Sequence, residues 1–341
     1  MLYVLILISF FFIVSYFAIP QIIKFSINKK LLDVPDHRKV HKILIPALGG
    51  VAVFICFVLS FILKYDHVDS SNLWILIAAS SIVVTGIIDD IRPLRAILKL
   101  GVQLIAAMAV VYFGGYAIHS FSGTFGISAL PYWVSFSLSV FLIILLVNAQ
   151  NLIDGVNGLC ALLGVLFFTF FAIYFYSHSQ IYFTISLAFL GSLLAFLRYN
   201  LFKPQIFLGD TGSTLIGFVA AVFMIQFLND AESVHSSIGI NQPYGILLCL
   251  FAIPIFDTFR VAGLRLLKQK SPFSPDKTHI HHIFLRLGFE HYHISLLLIF
   301  VNIFLVLAAY FLQNILGDTL IVAFLVGAFV FGFFILEFFI V

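Results

Sequence analysis

The sequence predicts an all-α polytopic integral membrane protein, and three observations predict it. Of its 341 residues, 62% are hydrophobic and only 10% charged, against about 25% charged in ordinary soluble domains. The hydrophobic residues gather in runs of the length that crosses a bilayer, roughly 20 mostly apolar residues for a helix. The basic residues sit in alternate segments between those runs, and so on one side of them, as the positive-inside rule requires. The 42 Phe residues belong to the same picture, because Phe is harmless in lipid and hazardous on a wet surface. A net charge of only +3 gives no reason to expect a nucleic-acid partner.

Taken in order, the first run covers 2–23. It lacks a basic n-region and an A-x-A-like cleavage site and is long enough to span, so a retained helix is expected there. The next four runs are 48–63, 73–88, 97–115 and 132–147, of which the first, second and last are short. Then come 158–176, 181–197, 213–228, 244–264, 294–312 and 319–340, giving eleven transmembrane helices. Gly191 and Gly217 lie inside runs, where close helix packing tolerates them. No internal repeat is visible. A single domain, 1–341, is expected, with loops 24–47, 89–98, 148–157, 198–212 and 265–293 on one face. Lys24, Lys29, Lys30, Arg38, Lys39 and Lys42 lie in the first of these. Arg92, Arg95 and Lys99 follow the third run, and Arg198 and Lys203 the seventh. Arg260, Arg265, Lys268, Lys270, Lys277 and Arg286 surround the last loop. Only Lys64 of the 18 basic residues falls on the other side. The expected orientation is N-terminus outside and C-terminus cytoplasmic. Cys56, Cys160 and Cys249 stand singly in apolar runs and read as packing residues.

Four polar clusters fall on the basic face. Asp89 and Asp90 end the third run, after Thr85-Gly86-Ile87-Ile88. Adjacent carboxylates beside lipid are costly and repel each other unless a cation or a shared proton intervenes. They are either a solvated helix end or a metal or general-base site. Asn148-Ala149-Gln150-Asn151-Leu152-Ile153-Asp154-Gly155-Val156-Asn157-Gly158 follows the fifth run without a basic residue. Asn151, Asp154 and Asn157 recur every three residues and would share a face of a helical turn, with Gly155 and Gly158 admitting close backbone approach. The same composition suits a plain turn. Asp210, in Phe207-Leu208-Gly209-Asp210-Thr211-Gly212-Ser213, precedes an apolar run, as a helix cap or a metal ligand would. His279, His281 and His282 end Ser271-Pro272-Phe273-Ser274-Pro275-Asp276-Lys277-Thr278-His279-Ile280-His281-His282. Their spacing is poor for chelation from one helix, and beside Lys277 and Arg286 they suit phosphate recognition. Carboxylates for Mg²⁺, cationic and His donors for phosphates, and amides for a base or sugar form the inventory of phosphoryl transfer.

With these motifs the chain resembles the polyprenyl-phosphate N-acetylhexosamine-1-phosphate transferases, in particular the bacterial undecaprenyl-phosphate N-acetylglucosamine-1-phosphate transferases. The resemblance runs from Val34-Pro35-Asp36-His37-Arg38-Lys39-Val40-His41, Pro46 and Gly49-Gly50 to His282, and includes the eleven-span layout. The segment Ser271–His282 is specific to this branch. The resemblance implies that Asp89 and Asp90 are catalytic, activating or orienting the lipid phosphate, and that Asp210 binds Mg²⁺ with Asn151 as a second contact. It implies substrate binding by Asn157, where relatives often carry Asp and recognise uracil, by Asp154, and by Lys99 near the lipid phosphate. His279, His281 and His282 match the motif assigned to the diphosphate-sugar. Arg38 and His41 are further binding candidates. The implied reaction takes a UDP-sugar, most simply UDP-GlcNAc, and undecaprenyl phosphate to undecaprenyl-diphosphate-HexNAc and UMP. Mg²⁺ is the expected cofactor, with Mn²⁺ as a substitute. The expected setting is the bacterial inner (plasma) membrane, among membrane lipid, with the site on the cytoplasmic face and the chain as a homodimer. The product would start a cell-surface polysaccharide such as O-antigen (of lipopolysaccharide), enterobacterial-type antigen or teichoic acid, as a step of cell wall biogenesis.

Other readings fit the residues less well. The phospho-MurNAc-pentapeptide transferases of peptidoglycan synthesis carry a differently framed His cluster. A secondary transporter would place ionisable residues near the bilayer midplane on broken helices, whereas here the spans are nearly free of charge, with Asp257 and Glu337 as exceptions near cytoplasmic ends. Among other membrane transferases, Asp154-Gly155 lacks the Ala-Arg pair of the CDP-alcohol enzymes. Asp89-Asp90 is followed by Pro93 where a prenyl-diphosphate motif needs Asp.

Overall fold

A computed structural model describes residues 2–31, 45–121, 123–233, 239–269 and 278–340. Arg38, His41 and the 271–277 part of the His motif lie outside the described residues. Thirteen α-helices occur among those described: α1 Leu2–Asn28, α2 Gly50–Leu63, α3 Ser70–Ile91, α4 Ala96–Tyr112, α5 Tyr132–Leu152, α6 Leu159–Phe175, α7 Gln180–Asn200, α8 Gly209–Ser233, α9 Pro243–Leu250, α10 Ala252–Leu267, α11 Ile280–Arg286, α12 His291–Leu312 and α13 Asp318–Ile340. Six of them (α1, α3, α5, α7, α8 and α12) are long and apolar enough to cross a membrane, and the bent pair α9–α10 adds a seventh candidate. The protein is therefore a polytopic helical membrane protein.

Burial sorts the helices into layers. α7 and α8 are buried along most of their length, while α1 and α12 expose apolar side chains such as Leu5, Phe17, Phe300 and Phe304. A bundle in water would not leave such rows open, and lipid covers them at no cost. Aromatic rings fill the interior. Phe168 stacks on Phe189 with centroids 4.0 Å apart, and Phe171 and Phe175 meet Phe223 edge-on. The abundance of Phe thus serves the protein core as well as the lipid face. Among the shorter connections, Asp69 begins α3 with a capping box, its carboxylate accepting from Asn72 N at 2.7 Å.

Two features differ from the sequence reading. First, α3 and α5 continue past the apolar runs, so Asp89, Asp90 and Asn148–Asn151 are the last turns of helices and not loop residues. Second, the ninth run is broken: α9 and α10 meet at Phe251 at 72°. The cause is local. Pro254 has no N–H to offer the Leu250 carbonyl four residues back. Asn302 of α12, fully buried, supplies it: Nδ2 donates to Leu250 O at 2.9 Å and to Cys249 O at 3.3 Å, while Oδ1 accepts from Ile253 N at 3.2 Å. One amide thus satisfies the backbone groups that the break frees, which a membrane interior demands.

Candidate active site

Four helix ends meet at one place: the C-terminal turn of α3, the first turn of α4, the end of α5 and the start of α8. The two carboxylates of α3 divide their work. Asp90 faces α8, where Oδ1 accepts from Asp210 N at 2.8 Å and Oδ2 accepts from Thr211 N at 3.1 Å and Thr211 Oγ1 at 2.6 Å. It caps the N-terminus of a helix 120 residues away, satisfying orphan donors that α8 cannot satisfy itself. The capping role open to Asp210 therefore falls to Asp90. Gly209, at φ +74°, makes this possible, because a Cβ there would stand 2.5 Å from Asp90 Oδ2 and 2.0 Å from Ala47 O.

Asp89 turns the other way. Its Oδ1 accepts from Leu94 N at 2.7 Å and its Oδ2 from Lys99 Nζ at 3.1 Å. The same ammonium lies 2.5 Å from Asp210 Oδ2. Lys99, one turn into α4, thus bridges carboxylates from α3 and α8. Asn151 closes the group from α5, its Nδ2 donating to Ser213 Oγ at 3.0 Å and its side chain also bonding Asp210.

Asp154 and Asn157 do not extend the face of α5, as a continuous helix would have required. The helix stops at Leu152, and residues 153–158 form a turn pinned by Asn200, whose Oδ1 accepts from Gly158 N at 2.6 Å and whose Nδ2 donates to Ile206 O at 2.8 Å. Asp154 is partly buried in this turn. Burial first, then the charges of Asp210 and Asp90, push its carboxyl well above the usual carboxylate range. Asn157 is buried. Its carbonyl accepts from Ser295 Oγ at 2.7 Å, and its Oδ1 has no hydrogen-bond partner among the described residues.

The His motif reaches this turn from the other side. His281 is buried with its ring against Gly155, where an added Cβ would lie 2.1 Å from Nε2. Gly155 is there to admit an imidazole. Burial, and next the neighbouring His282, push the His281 pKa down to about 3, so the ring is neutral. It is not the cation that a row of basic and His residues suggests. His279 is also buried, with Nδ1 2.8 Å from Asp257 Oδ2, and His282 is half-buried beside His281.

The structure therefore brings Asp89, Asp90, Lys99, Asn151 and Asp210 into one hydrogen-bonded group, with Asp154 within reach of its charges. It ties His281 to the turn that carries Asp154 and Asn157. Asp257 and Arg260 of α10 escaped the sequence reading as site residues. Their only signal was a carboxylate inside an apolar run with an Arg three residues on.

The donor set suits a hard divalent cation. Among the described residues, Lys99 is the one ammonium paired with the carboxylates of Asp89, Asp90, Asp154 and Asp210, and it already stands between two of them. Among the described residues, no three His, Cys, Asp or Glu side chains gather as an all-protein metal cage. A cation held by one or two oxygen ligands and completed by water and phosphate oxygens is the arrangement Mg²⁺ favours.

Comparison with known proteins places the chain in a family. Residues 72–228 match the model of glycosyl transferase family 4. The chain is 32% identical over 296 residues to a Bacillus subtilis (strain 168) protein named "Probable undecaprenyl-phosphate N-acetylglucosaminyl 1-phosphate transferase", covering 85% of this chain and 80% of that one. It is 30% identical over 278 residues, 78% of this chain and 72% of the relative, to a Yersinia pestis undecaprenyl-phosphate alpha-N-acetylglucosaminyl 1-phosphate transferase. A Mycobacterium leprae decaprenyl-phosphate N-acetylglucosaminephosphotransferase is 29% identical over 311 residues, 84% of this chain and 78% of that protein. The chain belongs to glycosyl transferase family 4, among the polyprenyl-phosphate N-acetylhexosamine-1-phosphate transferases.

Proposed function

We propose that this protein transfers N-acetylglucosamine-1-phosphate from UDP-GlcNAc to undecaprenyl phosphate, releasing UMP and initiating a cell-envelope polysaccharide. The observation that carries this reading is the convergence of Asp89 and Asp210 on Lys99, with Asp90 anchoring the helix that presents Asp210. The relatives' names supply the lipid and the sugar.

In the reaction, an oxygen of the lipid phosphate attacks the sugar-side phosphorus of the donor. The bond from that phosphorus to the bridging oxygen breaks, and its electron pair leaves with UMP. Both reactants are anions, so their approach needs compensating charge and in-line positioning. Lys99 offers its ammonium to the lipid phosphate, and Asp89 holds Lys99 and keeps that phosphate deprotonated. Asp90 acts through α8, fixing where Asp210 stands. Asp210 and Asn151 are the residues that would hold Mg²⁺, or Mn²⁺ in its place, which when bound neutralises the diphosphate. Asn157 and Asp154 recognise the uridine side of the donor. His279 and His282 meet its diphosphate, with His281 as a neutral strut under the turn. Arg38 and His41 complete the binding set from the first loop.

The same reading has eleven spans in one domain, with the N-terminus outside and the C-terminus and all the site loops cytoplasmic, assembled as a homodimer. The shorter apolar helices Gly50–Leu63, Ala96–Tyr112, Leu159–Phe175 and Asp318–Gly332 join the six long helices and the bent pair to support that number. Cysteine accessibility tests the orientation. His37→Cys and Asp276→Cys should be shielded from an impermeant external thiol reagent, and Val68→Cys and Ser236→Cys should react.

The activity is tested by incubating purified protein with Mg²⁺, undecaprenyl phosphate and a panel of UDP-HexNAc donors. UMP should be released with UDP-GlcNAc only when the lipid is present. Release without lipid, or none with any donor, overturns the reading.

A further inference from the structure

Asp257 lies in none of the four polar clusters of the basic face, yet both of its carboxylate oxygens are bonded in the protein interior. It sits on α10, two turns past the bend, and is 5% exposed. Oδ2 meets His279 Nδ1 at 2.8 Å, and Oδ1 accepts from Ile280 N and from Arg260 at 2.9 Å each. Arg260 also donates to the Thr278 carbonyl. Asp257 and Arg260 thereby hold three consecutive residues, Thr278, His279 and Ile280, at the entry to α11.

Packing alone does not call for this arrangement. A buried ion pair contributes little net stability over an apolar pair of the same shape, and a charged pair within an apolar helix is costly. What a carboxylate does supply is a fixed proton position. It only accepts, so the ring nitrogen facing it has to be the N–H. Nδ1 of His279 carries that hydrogen, and Nε2 is left as the ring's other hydrogen-bonding atom. A buried carboxylate that sets the tautomer and orientation of an imidazole is a recurring device in active sites.

We propose that Asp257 is a positioning residue for the donor-substrate site, holding His279 through Nδ1–H so that Nε2 faces the diphosphate of the nucleotide-sugar and, once protonated beside that anion, donates a hydrogen bond to it. The proposal rests on the reading that His279 contacts that diphosphate. Arg260 completes the device by neutralising Asp257 and by fixing the backbone on the near side of His279.

The test uses the full-length protein in detergent or nanodiscs, with Asp257→Asn, His279→Gln and the double variant. Asp257→Asn keeps the shape but turns an amide N–H₂ toward Nδ1. It should raise the KM for UDP-GlcNAc at least tenfold and leave the KM for undecaprenyl phosphate within twofold; its thermal midpoint should fall, because Arg260 keeps its charge without a carboxylate partner, so the readout is the contrast between the two KM values. Asp257→Glu should recover part of the loss. In the double variant, Asp257→Asn should add nothing to His279→Gln, because both changes remove one function. Effects that multiply, or equal losses toward both substrates, overturn the proposal in favour of general support of the fold. If His279→Gln raises the UDP-GlcNAc KM and Asp257→Asn does not, the positioning role fails while the donor-site reading stands. If His279→Gln leaves that KM unchanged, the donor-site reading fails and takes the proposal with it. A ¹⁵N-histidine spectrum of the wild-type protein, assigned by the signal lost in His279→Gln, gives a measurement that needs no Asp257 variant. Nδ1 should be protonated, and a His279 signal with bare Nδ1 overturns the proposal.

Discussion

Replacing Lys99 by methionine asks whether the ammonium occupies the place of the metal. Lys99 Nζ lies 2.5 Å from Asp210 and 3.1 Å from Asp89, and the three side chains are 27%, 23% and 14% exposed in that order. At a separation of about 3 Å and an effective dielectric constant of about 20, each pair attracts by roughly 5 kcal/mol. Removing the charges from water cancels most of that gain. A net of about 1–2 kcal/mol per pair is a reasonable remainder for groups this far buried. A divalent cation taking Asp210 must displace Lys99 and give up that remainder, and it also meets the repulsion of a nearby ammonium. Lys99→Met removes both costs, so Mn²⁺ should bind the substrate-free variant about tenfold more tightly or better, as about 1.4 kcal/mol corresponds to a factor of ten. Transfer activity should nevertheless fall, since the lipid phosphate loses its cation. Electron paramagnetic resonance of free Mn²⁺, or calorimetry, reads the affinity without turnover, and Asp210→Asn serves as the control that binds weakly. Equal or weaker Mn²⁺ binding by Lys99→Met, with Asp210→Asn still impaired, would refute the reasoning. Unimpaired binding by Asp210→Asn would instead remove Asp210 from the metal site.

Three further outcomes are expected. Asp90→Ala removes the three bonds that cap α8 and should cost roughly 1–3 kcal/mol. Its thermal midpoint should fall further than that of Asp89→Ala, and the reverse order would place the anchor at the wrong aspartate. Gly155→Ala puts a methyl group 2.1 Å from His281 Nε2 and should unseat the turn and abolish transfer. The double variant Gly155→Ala/His281→Ala should recover thermal stability relative to Gly155→Ala, and no recovery would mean that the collision is not the cause. For pH, the His281 ring stays neutral down to about 3 when folded but binds a proton near 6.5 when unfolded. The unfolded chain therefore holds the extra proton between those values, so stability is full above about pH 6.5 and is lost on acidification by at most about 1.4 kcal/mol per unit. His281→Gln should flatten the dependence of the thermal midpoint on pH between 6.5 and 4, and an unchanged slope would assign the acid sensitivity to another group.

Most of the architecture could be read from apolar runs because the bilayer imposes one rule on every span. Helix ends were harder. The runs stop before Asp89 and Asn148, but the helices continue, since bonds to α8 and α4 support polar residues there: Asp90 caps α8, and Asn148 donates to Gln103 at 2.8 Å. No local pattern announces a partner that is 45 or 120 residues away. The break in the ninth run had half its cause in view. Pro254 is visible in the sequence, but Asn302, which makes the break affordable, lies 48 residues on, inside another apolar run. The motif residues of the site were legible because their side-chain types are rare beside lipid. Their division of labour was not. Asp89 and Asp90 are chemically identical neighbours, and only the direction each side chain takes from α3 makes one a cap and the other a partner of Lys99. His281 looked like a phosphate donor because Gly155, its packing partner, is 126 positions upstream.

The 72° bend at Phe251 also sets an angular tolerance. α10 has 16 residues and is about 24 Å long at 1.5 Å per residue. It therefore works as a lever with its pivot at the bend, and a ten-degree change there sweeps its far end through about 4 Å. At Asp257, about 8 Å from the pivot, the same change amounts to about 1.4 Å. Hydrogen-bonded constellations that serve chemistry tolerate displacements of about 0.5 Å, which corresponds to three or four degrees at that radius. The amide of Asn302, bonded to residues on both sides of the bend, helps to hold that angle. A side chain on α12 that touches none of the carboxylates or the His cluster thus bears on how closely the two halves of the site register with each other.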